Sequence, residues 1–447
     1  MGRTKHRKRP DILAASLCAI LVTGSADAQT QSTTDRSPIA SFKDGFTLEQ
    51  SKQALAERDL AAWLAVGDVS VWLNLRISEA LPTAIVPNRN PPRELVVALD
   101  PAIGKIEADT GPTGVLTLDA FMAHPESNAQ AFVVVHRGEI VYENYQGMQA
   151  TDHHLWMSVA KTLPGLVIDK LISEGRIDET RTIGSYVPEF RGSAWEDVRV
   201  RDVMDMTPGL NSEENRETKA DPDSIAVRVY RAEFGMPYNG KTELLIDVLR
   251  DAEKQAEPGT EFEYSSPTTQ VLVYLAEAVT GERWAQFFDK HVWSELGAEG
   301  PLLVNTTPDG TAIAHGIVSS RLRDLARFGM LYTPSWDKVA NERAVTPEIL
   351  ARIRNSVRSK EFFRNGFDGP IFIDQLRDDT MISNSRQWDA VWPDGDMWKS
   401  GLMSQGVYVS PEKDLVIAYF SVSPSGMIHR FVRPIATSNL FQGDKME

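Results

Sequence analysis

Trp156-Met157-Ser158-Val159-Ala160-Lys161-Thr162 sets a serine and a lysine three residues apart, ahead of the apolar run Leu163-Pro164-Gly165-Leu166-Val167-Ile168. Read as a helix, this spacing puts Ser158 and Lys161 on one face, about one turn apart. Side chains lean toward a helix N-terminus, so the lysine reaches back over the serine. A serine hydroxyl is a weak nucleophile until a neighbouring base takes its proton. An ammonium cannot do that, but a lysine kept neutral by burial and nearby positive charge can. A serine at a helix start also gains from the positive end of the dipole as an alkoxide develops. Pro164 is a poor fit to such a helix: it removes one backbone bond and predicts a kink near Ala160. Serine-x-x-lysine quartets are common on protein surfaces, so the rest of the chain must decide whether this one is chemical.

Upstream lies a tight hairpin. The β-branched and aromatic runs at 131–136 and 139–143 flank Arg137-Gly138, a pattern that predicts two antiparallel strands. Downstream, apolar spacing predicts helices at 244–256, 267–280, 284–296 and 321–332. Strands return at 405–409 and 415–422 around the turn Pro411-Glu412-Lys413-Asp414. A closing helix is expected at 428–441, and 362–392 reads as irregular and aromatic. Strands at both ends with helices between predict an α+β fold. One antiparallel sheet is built from the N- and C-terminal strands, flanked by helices and carrying a helical insertion. A cleft then forms between sheet and helices. The polar, acidic stretch 211–223, with Glu213, Glu214, Glu217, Asp221 and Asp223, reads either as a solvated loop or as part of a lid.

The N-terminus carries an address. Arg3, Lys5, Arg7, Lys8 and Arg9 precede an apolar core at 12–22, and Ala26-Asp27-Ala28 matches an A-x-A cleavage site. Residues 1–28 are therefore expected to be a secretory signal peptide cleaved after Ala28, which makes the protein secreted and periplasmic. The segment is too short for a stable membrane span, and no later apolar run is long enough for one. Residues 29–114 form an N-terminal extension. It is partly irregular, with one helix expected at 48–64 and extended chain across the proline-rich 82–112. The main folded domain is expected over 115–442. The single cysteine, Cys18, falls in the signal segment, so the mature chain has no thiol nucleophile, disulfide or cysteine metal site. Removing residues 1–28 takes away five basic and two acidic residues, leaving 42 against 60 and a net charge of −18. That balance and the lack of a basic patch exclude nucleic-acid binding.

Other catalytic signatures are missing: there is no G-x-S-x-G elbow, no H-E-x-x-H pair and no phosphate-binding glycine loop. His153-His154 are chain neighbours, which do not converge easily on one metal. No cofactor and no metal is expected.

Ser158-Val159-Ala160-Lys161, Tyr264-Ser265-Ser266 and Lys399-Ser400-Gly401 resemble, in order, the three motifs of the penicillin-binding-protein and serine β-lactamase superfamily. The flanking text is similar to the class C, 6-aminohexanoate-dimer-hydrolase and family VIII esterase branch. It includes the first hairpin, Thr207-Pro208-Gly209-Leu210, Pro258-Gly259-Thr260 and 405–411. The similarity covers roughly 115–440. The resemblance implies that Ser158 is acylated, that Lys161 assists its deprotonation, and that Tyr264 passes protons to the leaving group and activates water. Ser266, Lys399, Ser400 and Gly401 would contact substrate, and the backbone N–H groups of Ser158 and Leu402 would form the oxyanion hole. Such a tyrosine needs a depressed pKa, which Lys161 and Lys399 together could supply.

The second motif departs from the class C pattern, which ends in asparagine where this chain has Ser266. This weakens the case for a β-lactam side chain. The expected partner is a small amide or ester. A class C-type β-lactamase and a D-alanyl-D-alanine carboxypeptidase remain open as enzymes, and a peptidoglycan- or peptide-binding relative without turnover remains open as another class. The sequence does not give the oligomeric state.

Overall fold

The structure is a computed structural model that describes residues 37–58 and 60–441. The expected signal peptide, residues 1–28, and the chain's last six residues lie outside the described residues. Eight strands form the main sheet: β1 (Val96–Val97), β2 (Ala129–His136), β3 (Glu139–Tyr145), β4 (Ser383–Ser385), β5 (Trp388–Val391), β6 (Met397–Gly401), β7 (Gln405–Ser410) and β8 (Leu415–Ser421). Their spatial order is β4-β5-β6-β7-β8-β2-β3-β1. The long C-terminal strand β8 pairs antiparallel with β2, so the two ends of the chain close one sheet. Every pair is antiparallel except β1 against β3. The fold is α+β, as expected: one sheet closed by strands from both ends of the chain, with helices between.

The central strands are apolar on both faces because both faces are covered. Ala131, Val133 and Val135 of β2 join one core with Val407, Val416, Ala418 and Phe420. Phe132 and Val134 join the opposite core with Trp398, Tyr408, Ile417, Tyr419 and Phe431. The first core continues into three helices, α1 (Thr162–Ser173), α2 (Ser266–Thr280) and α3 (Leu322–Met330). A smaller sheet lies beside them: Thr83–Val86, Leu302–Asn305, Val318–Ser320 and His154–Leu155. Its last strand leads directly into Ser158.

Several expectations are corrected. The single helix at 48–64 is two short ones, Leu48–Ala56 and Leu60–Leu64, and Leu48 is exposed. A Thr47–Gln50 capping box starts the first helix, so Leu48 marks a helix entry and not a core face. The irregular 362–392 stretch is ordered into helices Lys360–Asn365 and Asp368–Leu376, followed by β4 and β5. The closing helix is three short pieces: Met427–Phe431, Val432–Ala436 and Asn439–Phe441.

The helix carrying the quartet is also composite. Met157–Lys161 is a 3₁₀ turn, and the α-helix begins at Thr162. Pro164 therefore falls in the first turn of α1. An α-helix leaves its first N–H groups without partners there, so a missing donor costs little. The kink expected from Pro164 is the seam between the two helix types.

Candidate active site

Ser158 is held in a tight turn. Met157, just before it, has φ +50°, a left-handed conformation that is uncommon for a long side chain. Trp156 fixes the entry: its N–H donates to Val318 O at 2.8 Å, and its indole N–H donates to Ser320 Oγ at 2.9 Å. In the 3₁₀ turn that follows, residues i and i+3 eclipse. Lys161 thus stands directly over Ser158, with Nζ 3.0 Å from Ser158 Oγ.

Lys161 is fully buried. Its ammonium also donates to Ser266 Oγ at 2.8 Å and to His315 O at 3.2 Å. Burial pulls its pKa down to about 7, with Lys399 pushing the same way and Glu214 and Asp389 opposing. A substantial neutral fraction near neutral pH is what a lysine base needs.

Tyr264 and Ser266 straddle the start of α2. Ser265 caps that helix, its Oγ accepting from Thr268 N at 3.0 Å while donating to Ser212 O at 2.7 Å. Ser266 is thereby the first helical residue and faces Lys161. Tyr264 precedes the cap, its N–H donating to Asp368 at 3.0 Å. The phenol receives a 3.4 Å bond from Lys399 Nζ. The two ammonium groups lie 5.1 Å and 4.6 Å from its ring centre. The phenol pKa nevertheless moves up, the reverse of the expected depression. Burial raises it most, and Asp389, Glu214 and Asp368 add to that rise. Tyr264 rests as a phenol, able to donate a proton.

The third motif lies on β6 and packs against the serine turn. A Cβ on Gly401 would meet Trp156 O at 2.6 Å and Met157 Cβ at 2.9 Å, so only glycine lets the strand approach this closely. Gly401 pairs with Gln405 across a three-residue turn in which Met403 and Ser404 have φ +64° and +71°. Leu402 opens that turn, with its side chain partly exposed. Lys399 and Ser400 do not stand open at a strand edge. Lys399 is buried and ion-paired with Asp389. Ser400 donates to the same carboxylate through Oγ at 2.7 Å and N at 2.9 Å.

Sequence reasoning thus placed Ser158, Lys161, Tyr264, Ser266 and the 399–401 strand, and the fold brings all of them together. It missed a set of acids and a histidine. Glu214 accepts from Ser266 Oγ at 2.9 Å and from Ser266 N at 3.2 Å. Burial pushes its pKa up, but Lys219, Lys161, His315 and the Ser266 bond together bring it below the ordinary value. Burial raises the Asp368 pKa to about 7. His315, whose carbonyl receives Lys161, is bonded through its imidazole to buried Glu233 at 2.5 Å. Glu214 and Glu233 both come from the polar stretch and helix after residue 210, so two acids fasten that segment to the site. The one available signal for Asp389 was a lone charge inside the apolar strand Trp388-Asp389-Ala390-Val391. Such a charge needs a buried partner.

His154 is buried, stacks on Phe420 and bonds Gln130. Among the described residues no group of three or more His, Cys, Asp or Glu side chains is arranged to hold a metal ion, and no helix is long and apolar enough to cross a membrane.

Comparison with known proteins identifies the family. The beta-lactamase family model matches residues 117–434. The chain is 29% identical over 362 residues to the 6-aminohexanoate-dimer hydrolase of Paenarthrobacter ureafaciens, covering 79% of this chain and 85% of that protein. Among solved structures, it resembles a Bacillus anthracis protein assigned as a 6-aminohexanoate-dimer hydrolase. The TM-score is 0.69 and the identity 22%, over 83% of this chain and 94% of the other. EstCE1, a hydrolase with promiscuous acyltransferase activity, superimposes with a TM-score of 0.51 at 18% identity, over 69% and 93% of the two chains. With the match spanning most of its length, the chain belongs to the beta-lactamase family of serine hydrolases.

Proposed function

We propose that this protein hydrolyses small linear amides or esters through an acyl-enzyme on Ser158. The observation that carries the reading is Lys161: a buried amine 3.0 Å from Ser158 Oγ, with its pKa brought to about 7. In acylation Ser158 Oγ attacks the carbonyl carbon and its proton passes to Lys161 Nζ. Backbone N–H groups of Ser158 and Leu402 receive the developing oxyanion, each worth about 3 kcal/mol in such sites. Tyr264, a phenol at rest, donates its proton to the leaving amine or alkoxide and is reprotonated from Lys161. The reverse relay activates water to release the acid.

Two features favour a linear amide or ester over a β-lactam. Ser266 stands where the class C pattern has asparagine and is occupied by Lys161 and Glu214. The Paenarthrobacter ureafaciens relative, matched over 362 residues, is named for a 6-aminohexanoate dimer. The basic, apolar and A-x-A segments at residues 1–28 support secretion to the periplasm with cleavage after Ala28. N-terminal sequencing of the protein from its native compartment tests that point.

The activity test is direct. The mature protein is offered p-nitrophenyl acetate, nitrocefin and a linear 6-aminohexanoate dimer, and a fluorophosphonate adduct is followed by intact mass. Turnover of ester or dimer with one adduct, absent in Ser158→Ala, is expected. No turnover and no adduct in the wild type defeats the enzyme reading, and preference for nitrocefin moves it to the β-lactamases.

A further inference from the structure

We infer that Asp389 is a specificity-determining residue that closes the Lys399 end of the site to acyl groups bearing a carboxylate. The inference rests on the hydrolase reading above. A strand presenting lysine, serine and glycine is equipped to hold a substrate anion, because the ammonium and the hydroxyl both donate. Here both donors already end on a carboxylate of the protein. One Asp389 oxygen takes the Lys399 ammonium, and the other accepts from Ser400 Oγ at 2.7 Å and from Ser400 N at 2.9 Å. Lys399 and Asp389 are 0% and 1% exposed, so water does not loosen the pair. A serine hydroxyl has one proton to give, and that of Ser400 is committed.

β5 and β6 are adjacent hydrogen-bonded strands, with Ala390 paired to Trp398. The backbone therefore holds the Asp389 carboxylate against Lys399 and Ser400. To seat a substrate carboxylate at this end, the site must break a buried ion pair and leave Asp389 uncompensated, which is costly. It must also accept a second anion beside Asp368 and Glu214, whose charges already act on both Lys399 and Tyr264. A neutral acyl chain meets neither cost. The lysine keeps one outward task, the 3.4 Å bond to Tyr264 OH, so it serves the proton relay and not anion capture.

The test compares two esters with one leaving group and acyl chains of similar length, p-nitrophenyl butyrate and mono-p-nitrophenyl succinate. In the wild type, kcat/KM is expected to favour the butyrate by about tenfold or more, the size of one unfavourable charge contact in a partly screened site. Asp389→Asn keeps the shape and an acceptor for Ser400 but removes the charge, and it is expected to narrow that ratio by about tenfold. Equal use of both esters by the wild type, or an unchanged ratio in Asp389→Asn, overturns the inference. Failure of the wild type on both esters counts instead against the hydrolase reading. A second measurement needs no variant: phenylboronic acid is expected to inhibit the wild type about tenfold more tightly than 3-carboxyphenylboronic acid. The opposite order overturns the inference even if Asp389→Asn does not fold.

Discussion

Lys161 Nζ lies 3.0 Å from Ser158 Oγ, and its other bonds go to a hydroxyl and a backbone carbonyl rather than to a carboxylate. The lysine is solvated by dipoles, so burial prevails and the pKa falls to about 7. Only the neutral amine can take the serine proton. Below pH 7 the neutral fraction drops tenfold per unit, and above it the fraction saturates. The kcat/KM for a p-nitrophenyl ester should therefore rise with pH and flatten above an apparent pKa near 7. Lys161→Met should lose roughly 10²–10⁴ of that rate. A profile that is flat or falling between about pH 5 and 8 would remove Lys161 from the role of base.

Glu214 sets where that limb lies. It acts on Lys161 both by charge and through Ser266, which donates to Glu214 while accepting from the lysine. Its charge favours the ammonium and so raises the Lys161 pKa. Glu214→Gln keeps an acceptor for Ser266 but removes the charge. The Lys161 pKa should then fall further, and the ascending limb should move to lower pH by about one unit. A shift toward higher pH, or none, in the same ester assay would contradict this coupling.

These acids show where the sequence stopped being informative. The quartet, the Tyr264 segment and β6 were legible because each is a local pattern: an i,i+3 spacing, a capped helix start and a glycine at the end of a strand. The sheet was legible because β2, β7 and β8 centre on β-branched and aromatic residues and β3 opens on alternating ones, with tight turns between β2 and β3 and between β7 and β8. Glu214 has no such mark, and Asp389 has only that of a lone charge among apolar neighbours. Glu214 sits in an acidic stretch whose composition suits a solvated loop equally well, and only the approach of α2 gives it Ser266 as a partner. Asp389 gains its role from strand pairing, which chain spacing does not encode. The upward move of the Tyr264 pKa was illegible for the same reason. The two lysines are in the sequence motifs, whereas the burial and the three acids that outweigh them are tertiary.

Gly401 carries a prediction about geometry rather than charge. A methyl group there would lie 2.6 Å from the backbone oxygen of Trp156, and a carbonyl cannot rotate away as a side-chain tip can. Gly401→Ala should push β6 off the 156–158 turn and displace Leu402 relative to Ser158. Because oxyanion donors act over tenths of an ångström, kcat should fall by about 10²-fold. The melting temperature should change by only a few degrees, since overpacking of this kind costs about 1–3 kcal/mol. Steady-state kinetics beside thermal melting separates the two. Unchanged kcat would mean that the strand position does not control the site.

The last prediction concerns what holds α1, and hence the quartet, in place. Arg386 lies in the turn between β4 and β5, where it and Gln387 have φ +43° and +73°. Its guanidinium donates to Asp169 of α1 at 2.6 Å and to Glu179 at 2.6 Å, with the Arg386 and Asp169 side chains 1% and 3% exposed. Asp169 also receives Arg352 at 2.9 Å, from a partly exposed side chain. Removing Arg386 leaves a buried carboxylate with one weaker partner. Arg386→Met alone should therefore lower the unfolding free energy by about 3 kcal/mol, and Asp169→Leu alone should also destabilise. The double variant Arg386→Met with Asp169→Leu removes both charges and fills the space, so it should recover most of that loss. Denaturant unfolding of the wild type, both single variants and the double variant gives the coupling directly. Additive losses in that cycle would show that the pair does not act as a unit, and would leave the seating of α1 to its apolar face alone.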